Sequence, residues 1–397
     1  MVVLSGENIV CITRRPWHST WKTDQQIMSR LARTNRVLYV NPPRPLREAV
    51  RQALGVVSRV PVVSSPRENL HIYQEPILLA GWGRGHLFSR AYNRVAERLR
   101  IAHLRETTRR LGFHSPILWS YDPLASWAIG AFGEILFVYS VIDNYDEYFS
   151  TGEIWHTRVR ASHRELMRRA DVVFAVSEPL LQQCLEYNPN SFLAPNGVSF
   201  DLFEASMRSS DTPPDVVPIP RPIIGFIGVL HSSIDLGLLE EIAQHRPDWS
   251  LMIVGPVEGI AYGDRRVFQR LCSRVNVYYL GAKPPNVLPD YVKSCDVAIM
   301  PYRVNPLTFC GDSQKLYEYL ACGKPVVSTP IPSVRRHLPL VEIAEYPGDF
   351  LARVERALRD GHRLHSERMA AARRNSWERR VCEMSEILLR RLRAATP

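Results

Sequence analysis

Ser313, Lys315 and Glu318 place a hydroxyl, an ammonium and a carboxylate close together in the stretch DVAIMPYRVNPLTFCGDSQKLYEYLACGKPVVSTP, residues 296–330. The apolar run 297–300 reads as a strand ended by Pro301. Gly311-Asp312-Ser313 then opens a helix over 314–322, punctuated by Gly323 and Pro325, and a second apolar run follows at 325–328. A helix that starts just after a strand presents unpaired backbone N–H groups and a partial positive charge, which suit phosphate oxygens. Lys315 lies in the first turn beside Gln314, where a cation is unfavourable unless an anion is also there. Glu318 stands one turn on, on the same face, where a carboxylate can accept both hydroxyls of a ribose. The pattern fits a nucleoside-diphosphate clamp. An ordinary capped helix with a Lys–Glu pair on its wet face has the same spacing.

The motif KLYEYLACGKPVVST (315–329) resembles the C-terminal signature of the GT-B glycosyltransferases of family 4, in which the glutamate binds the donor ribose. ADVVFAVSEPLLQQCL (170–185) and FLAPNGVSFDLF (192–203) are similar to that family's D-x-V-x-x-V-S and P-N-G-V-D-x-x-x-F segments, in the expected order. The phrases VLYVNPP, VIDNYDEYF and IDLGLLEEIA are similar to the subset near teichuronic-acid-type glycosyltransferases. The resemblance implies an α/β GT-B fold: two Rossmann-like domains face each other across a cleft, and the final helix crosses back to the first. It implies sugar transfer from a UDP- or GDP-sugar to a hydroxyl with anomeric retention, and neither a metal nor a cofactor beyond that co-substrate. The chain departs from the family at two places. Val229-Leu230-His231-Ser232-Ser233 stands where a G-R-x(n)-K-G pattern supplies two cations, and Cys310 stands where the first glutamate of E-x7-E belongs. Lys315, His231 and the helix tip at Ser313 are the expected substitutes. Gly228, within the strand-like run IIGFIGVL, is a further donor-side candidate, and Gly281 with Lys283 follows another strand where such folds seat the base. A sugar-nucleotide epimerase on the same fold, or a non-catalytic saccharide-binding scaffold, remain as alternatives.

The first half offers acids and aromatics at strand ends. Apolar runs 117–121 and 135–142 read as strands, followed by Tyr121-Asp122-Pro123 and by Asp143-Asn144-Tyr145-Asp146-Glu147-Tyr148. Loops at the carboxyl ends of parallel strands face the ligand crevice. Asp143, directly after its strand, is therefore expected to orient or deprotonate an acceptor hydroxyl, with Asp122 beside the acceptor. A solvated acidic turn would look the same. The loop after the first strand, 8–13, carries Trp17, His18 and Ser19; these read as acceptor-facing, with His18 a polar contact, or as a surface histidine between packing tryptophans. DNYDE is not a DxD metal signature, and no GxGxxG follows the first strand, which disfavours a Rossmann dehydrogenase.

A length of 397 residues suits two α/β domains. The expected division is an acceptor domain over 1–206, a Ser/Asp/Pro-rich linker over 207–222, a donor domain over 223–375 and a returning helix over 376–397. Seven cysteines without CxxC spacing suit a reducing cytosol, and 1–17 lacks the pattern of a signal peptide. Charge is uneven. Residues 1–110 hold 19 basic and 7 acidic side chains, against 5 and 11 over 111–203. Two basic amphipathic helices are expected at 44–57 and 88–109, the second with Phe88, Tyr92, Val95, Leu99 and Ala102 inward and Arg90, Arg94, Arg98, Arg105 and Arg109 outward; LLAGWGRGH with Trp82 lies between them. Core-packed helices with solvated arginine faces fit that pattern. So does a peripheral contact between segment 44–110 and an anionic membrane surface. Nucleic acid is disfavoured because no nucleic-acid-binding module is recognisable. The expected partners are a nucleotide sugar and a saccharide or lipid-linked acceptor.

Overall fold

The computed structural model describes residues 2–43, 61–76, 90–148 and 153–395. The chain divides into two compact units, one of residues 1–195 with 380–397, the other of 196–379.

The first unit is built on an eight-stranded sheet in the order β3-β4-β2-β1-β5-β6-β7-β8. Its strands are β1 (Asn8–Ile12), β2 (Arg36–Val40), β3 (Val63–Arg67), β4 (Leu70–Tyr73), β5 (Ile117–Ser120), β6 (Leu136–Val141), β7 (Val172–Ala175) and β8 (Ser191–Leu193). All neighbours pair in parallel except β3 with β4. Central strands β5, β6 and β7 are buried at every position, as expected when helices cover both faces of a parallel sheet. The edge strand β3 tolerates Pro66 because its outer N–H groups need no ladder partner.

The second unit carries a six-stranded sheet in the order β11-β10-β9-β12-β13-β14. These are β9 (Ile223–Ile227), β10 (Ser250–Val254), β11 (Val277–Tyr279), β12 (Val297–Met300), β13 (Val326–Ser328) and β14 (Glu342–Ile343), and every pairing is parallel. Each crossover contains at least one helix, the usual way parallel neighbours are joined.

Three expectations are corrected. The expected linker 207–222 is part of the second unit: Phe200 and Phe203 of helix Phe200–Arg208, together with Val216 and Ile219, are buried in its core, and the division falls between Pro195 and Asn196. Five hydrophobic or aromatic anchors outweigh the Pro/Asp composition when Val198 is counted with them. Second, residues 61–76, inside the stretch read as basic helices and a loop, form the β3–β4 hairpin. Third, helix Arg90–Arg110 is turned from its expected orientation. Val95 and Leu99 are 53% and 45% exposed, whereas Leu104 is fully buried and Thr107 and Thr108 nearly so.

The cause of that rotation is electrostatic. Glu75, just past β4, has a side chain only 4% exposed, and Arg100 on the helix reaches it through Nε at 2.8 Å and NH2 at 3.3 Å. A buried carboxylate needs such a partner, so the arginine goes inward and the apolar stripe is displaced outward. His103 on the same side meets the Tyr73 hydroxyl at 2.9 Å. The expected helix at 44–57, the glycine-rich loop with Trp82, Phe88, and the side chains of Arg90, Tyr92 and Arg94 lie outside the described residues.

Removing Arg100 strands Glu75. Arg100→Ala is expected to destabilise the chain by about 3–5 kcal/mol, the usual cost of orphaning one member of a buried pair. Adding Glu75→Gln should recover a large part of the loss in urea unfolding; an Arg100→Ala variant as stable as the parent would show that the pair does not set the helix orientation.

Candidate functional site

In both sheets strand order reverses beside the first strand of the unit: β2-β1-β5 in the first and β10-β9-β12 in the second. Successive crossovers there go to opposite sides, which opens a crevice at the carboxyl ends of the two central strands, where ligands of doubly wound sheets bind. Each unit has its polar residues gathered at that place.

In the second unit, Gly228 directly follows β9, Pro301 and Tyr302 follow β12, and helix Gln314–Ala321 comes after them in the chain. The Tyr302 hydroxyl lies 2.9 Å from Ser313 Oγ and 3.3 Å from Lys315 Nζ. Lys315 passes across Gly228, with its ammonium 5.6 Å from the centre of the Phe226 ring. A Cβ on Gly228 would stand 1.8 Å from Lys315 Cε and push the lysine from its place, and φ +150° strains any residue other than glycine there. Ser313 is the N-cap by position, yet its side chain makes no cap hydrogen bond. The opening N–H groups of the helix are thus not closed by their own cap, and an ammonium is held beside them. Gln314 and Glu318 are half-buried on the same helix.

The tip is held by an anchored neighbour. The side chain of Asp312, entirely enclosed, accepts from the Asn196 backbone N–H at 2.7 Å, from Tyr317 at 3.1 Å and from Arg336 at 3.0 Å. Asn196 Nδ2 in turn donates to the Asp312 carbonyl at 2.6 Å. Deeper in the helix, the Tyr319 hydroxyl accepts from Ile227 N–H at 3.0 Å and donates to its carbonyl at 3.1 Å, which fixes the helix to the end of β9.

The remaining donor-side expectations are spread around this tip. His231 Nδ1 accepts from Ser233 N–H at 3.2 Å, which leaves the proton of a neutral ring on Nε2. Lys283 pairs with Asp215 at 2.6 Å. Gly281 adopts φ +68°, and its carbonyl accepts from Gly255 N–H. Two residues were missed by sequence reading. Tyr302 links Ser313 to Lys315. Arg303 donates to the Ser232 carbonyl at 3.0 Å and forks onto Asp264 at 2.7 and 3.0 Å, bracing the 231–233 loop. Their signal was position alone, directly after a strand and Pro301.

In the first unit a pocket of about 250 Å³ opens at the ends of β1, β2, β4 and β5. Its polar lining includes Arg14, Glu75, Glu97, Arg100, Asp122 and Arg158, with Trp127 as the aromatic wall. Arg158 pairs with Glu97 at 3.0 Å. Asp122 Oδ1 accepts from Leu124 N–H at 3.0 Å. Burial raises the Asp122 pKa against the pull of Arg14 and Arg100. Burial also pushes Asp143 up to about 6, opposed by Arg14 and Arg15. Arg14 therefore acts on both carboxylates, and its guanidinium lies 5.4 Å from the Tyr145 ring centre.

The loop after β1 takes the second of its two expected readings, an exposed histidine beside packed tryptophans. Trp17 is 6% exposed and packs on Trp21 and Tyr39 at 5.1 and 5.0 Å between ring centres, so its ring is part of the core. Ser19 donates to the Pro16 carbonyl at 2.7 Å. His18 is exposed and outside the pocket lining. Of the five acceptor-side residues only Asp122 lines the pocket, with Asp143 linked to it through Arg14. Glu75, Arg100, Glu97, Arg158 and Trp127 were missed because their convergence depends on the β3–β4 hairpin and the rotated helix. Among the described residues no group of three or more His, Cys, Asp or Glu side chains is placed to hold a metal ion, and no helix is long and apolar enough to cross a membrane.

The helix tip lies inside a stretch that matches a known family. Residues 221–360 match the family described as Glycosyl transferases group 1. The chain is 35% identical over 189 residues to the putative teichuronic acid biosynthesis glycosyltransferase TuaH of Bacillus subtilis (strain 168), a stretch covering 46% of this chain and 46% of that protein. Among solved structures, Anabaena HepE in complex with UDP superposes with a TM-score of 0.67 at 14% identity, covering 96% of this chain and 100% of that one. Sucrose-phosphate synthase from Thermosynechococcus elongatus gives 0.69 at 15%, covering 98% and 100%. α,α-Trehalose 6-phosphate synthase from Burkholderia multivorans gives 0.67 at 15%, covering 98% of each. Over residues 221–360 the chain is similar to the group 1 glycosyl transferases, and through nearly its whole length it has the GT-B fold.

Proposed function

We propose that this protein is a glycosyltransferase that moves a sugar from a nucleotide-sugar donor to a hydroxyl of a saccharide or lipid-linked acceptor, in the synthesis of an envelope polysaccharide or glycolipid. One observation carries the reading: the uncapped tip of helix Gln314–Ala321, with the Lys315 ammonium held beside it by Tyr302 and admitted by Gly228. The departing diphosphate would meet the N–H groups of that tip and Lys315, with His231 Nε2 as a further donor. Glu318, one turn along, would take the ribose hydroxyls. Stabilising charge that develops on a leaving group is the larger part of such catalysis, and fixed dipoles do it without reorganisation. UDP or GDP is the proposed nucleotide, and the UDP complexes of HepE favour UDP. Anomeric retention rests on the family resemblance.

On the acceptor side Asp143 would orient the attacking hydroxyl and take its proton, with Asp122 beside it. A sugar-nucleotide epimerase needs no acceptor seat, so the polar pocket of the first unit favours transfer over that alternative. Helix Arg90–Arg110 supports a membrane contact as well: Val95, Arg98, Leu99, Ala102, Arg105 and Arg109 are all exposed. Cations and short apolar side chains on one free face suit an anionic lipid surface, each near-surface cation contributing about 1 kcal/mol.

A thermal-shift series with UDP, GDP, ADP and CDP tests the donor reading. One of them should raise Tm in proportion to its affinity, and Lys315→Ala should weaken that ligand about tenfold, the usual loss for a charge-assisted hydrogen bond; no shift with any of the four would remove the assignment. Transfer rate should fall as pH drops through about 6, because protonation of Asp143 removes the base. The folded-state pKa is raised, so the charged form is disfavoured by folding, and Asp143→Asn should lose this pH limb without lowering Tm at pH 7. Retention of the limb in that variant assigns it elsewhere. Vesicles containing phosphatidylglycerol should sediment the protein at low salt and release it at high salt, less of it for Arg98→Glu/Leu99→Glu. Equal sedimentation with neutral vesicles would exclude an electrostatic contact.

A further inference from the structure

The pocket of the first unit has a chemical character of its own. Its lining cations are already matched. Arg100 is forked onto Glu75, Arg158 is bonded to Glu97, and Arg14 lies within the field of Asp122 and Asp143. A phosphate or carboxylate entering here would bring a further negative charge among cations that carboxylates already offset, beside Glu75, itself only 4% exposed, which is costly. Hydroxyl groups face no such conflict, because they can add to the pairs without breaking them.

The unused valences point the same way. Arg100 spends Nε and NH2 on Glu75, and NH1 makes no hydrogen bond to a described residue. Asp122 spends Oδ1 on Leu124 N–H, and Oδ2 makes none to a described residue. A donor and an acceptor thus remain in one pocket, which is what a hydroxyl, itself both donor and acceptor, can satisfy. Trp127 supplies an apolar wall, with the Arg100 guanidinium 5.7 Å from its ring centre. A volume of about 250 Å³ lies just under the usual range for drug-sized ligands, roughly 300–1,000 Å³, and leaves room for one sugar ring rather than a nucleotide.

We infer that this pocket is a subsite for an uncharged monosaccharide unit of the acceptor, its ring against Trp127 and its hydroxyls bonded to Asp122 and Arg100. The inference rests on the glycosyl-transfer reading for its biological meaning, but its content is a binding statement about the first unit alone. Anionic sugars and phosphate-terminated acceptors would be selected against by the paired lining, whatever the donor is.

Saturation-transfer NMR on the full chain, without nucleotide, tests it with methyl glucoside, methyl galactoside and methyl N-acetylglucosaminide as neutral probes, and with glucuronate and inorganic pyrophosphate as charged ones. At least one neutral glycoside should bind saturably, and Trp127→Ala and Asp122→Asn should each weaken it about tenfold while the parent's Tm is kept within a few degrees. Stronger binding of glucuronate than of every neutral glycoside would overturn the inference, as would glycoside binding untouched by both substitutions or the absence of any glycoside binding. Pyrophosphate is expected to contact the second unit only, so its binding should be lost in Lys315→Ala and kept in Asp122→Asn; the reverse pattern would overturn the inference too. UDP titrated into the same samples reports on the donor reading separately. UDP binding with no glycoside binding removes the subsite and leaves transfer standing, whereas glycoside binding without UDP removes transfer and leaves the subsite.

Discussion

The structure depends on one topological constraint, the reversal of strand order beside the first strand of each sheet. With β2 and β5 on either side of β1, and β10 and β12 on either side of β9, the crossovers must leave in opposite directions. A crevice then opens at the carboxyl ends of the two central strands, where the last backbone groups and the loops that follow can meet ligand. Asp122, Glu75 and Arg14 stand at such ends in the first unit, and Gly228, Tyr302 and Arg303 in the second. Chemistry in this chain is therefore a property of strand ends, and the helices serve to hold those ends in place.

The two sites solve different electrostatic problems. At the tip of helix Gln314–Ala321 backbone dipoles and Lys315 lie together, and the neighbouring Asp312 carboxylate is engaged by Asn196, Tyr317 and Arg336. That arrangement is unfavourable when empty, which is the condition for binding an anion well. In the first unit the reverse holds. Arg100 and Arg158 are ion-paired with Glu75 and Glu97, and Arg14 lies in the field of Asp122 and Asp143, so the lining is polar but balanced, and what it offers is directed hydrogen bonding.

Asn196 deserves its place in the P-N-G-V segment for a physical reason. It is the first residue of the second unit, and it is bonded through both backbone and side chain to Asp312, the residue before the tip. Val198, two residues on, pairs with Ser376 near the point where the chain leaves that unit again. Gly197 between them is required, since a Cβ there would stand 2.8 Å from the Asn375 carbonyl. The entry segment, the exit segment and the helix tip are laced together inside one unit.

Much of this was legible in the sequence, and the division follows the range of the interactions involved. Strands β1, β2, β5, β6, β9 and β12, the helix at 314 and the polar triplet Ser313, Lys315 and Glu318 are specified locally, by apolar runs, Gly and Pro punctuation and capping residues, so they could be read in order along the chain. The side of helix Arg90–Arg110 that faces inward could not, because its apolar stripe is overruled by Glu75, a partner 25 residues away that lies in a hairpin with weak local signal. The assignment of 207–222 failed for a related reason: its composition is that of a linker, but Val216 and Ile219 find a core made by other elements. The partners of Trp17 and Lys283 were not legible, because a sequence states which groups are present and not what they pack on or pair with. Packing on Tyr39 uses the first and Asp215 uses the second. Residue types and local order were thus set by sequence alone, whereas the pairing of charges across distant segments, and with it the character of the pocket, was decided only by the tertiary structure.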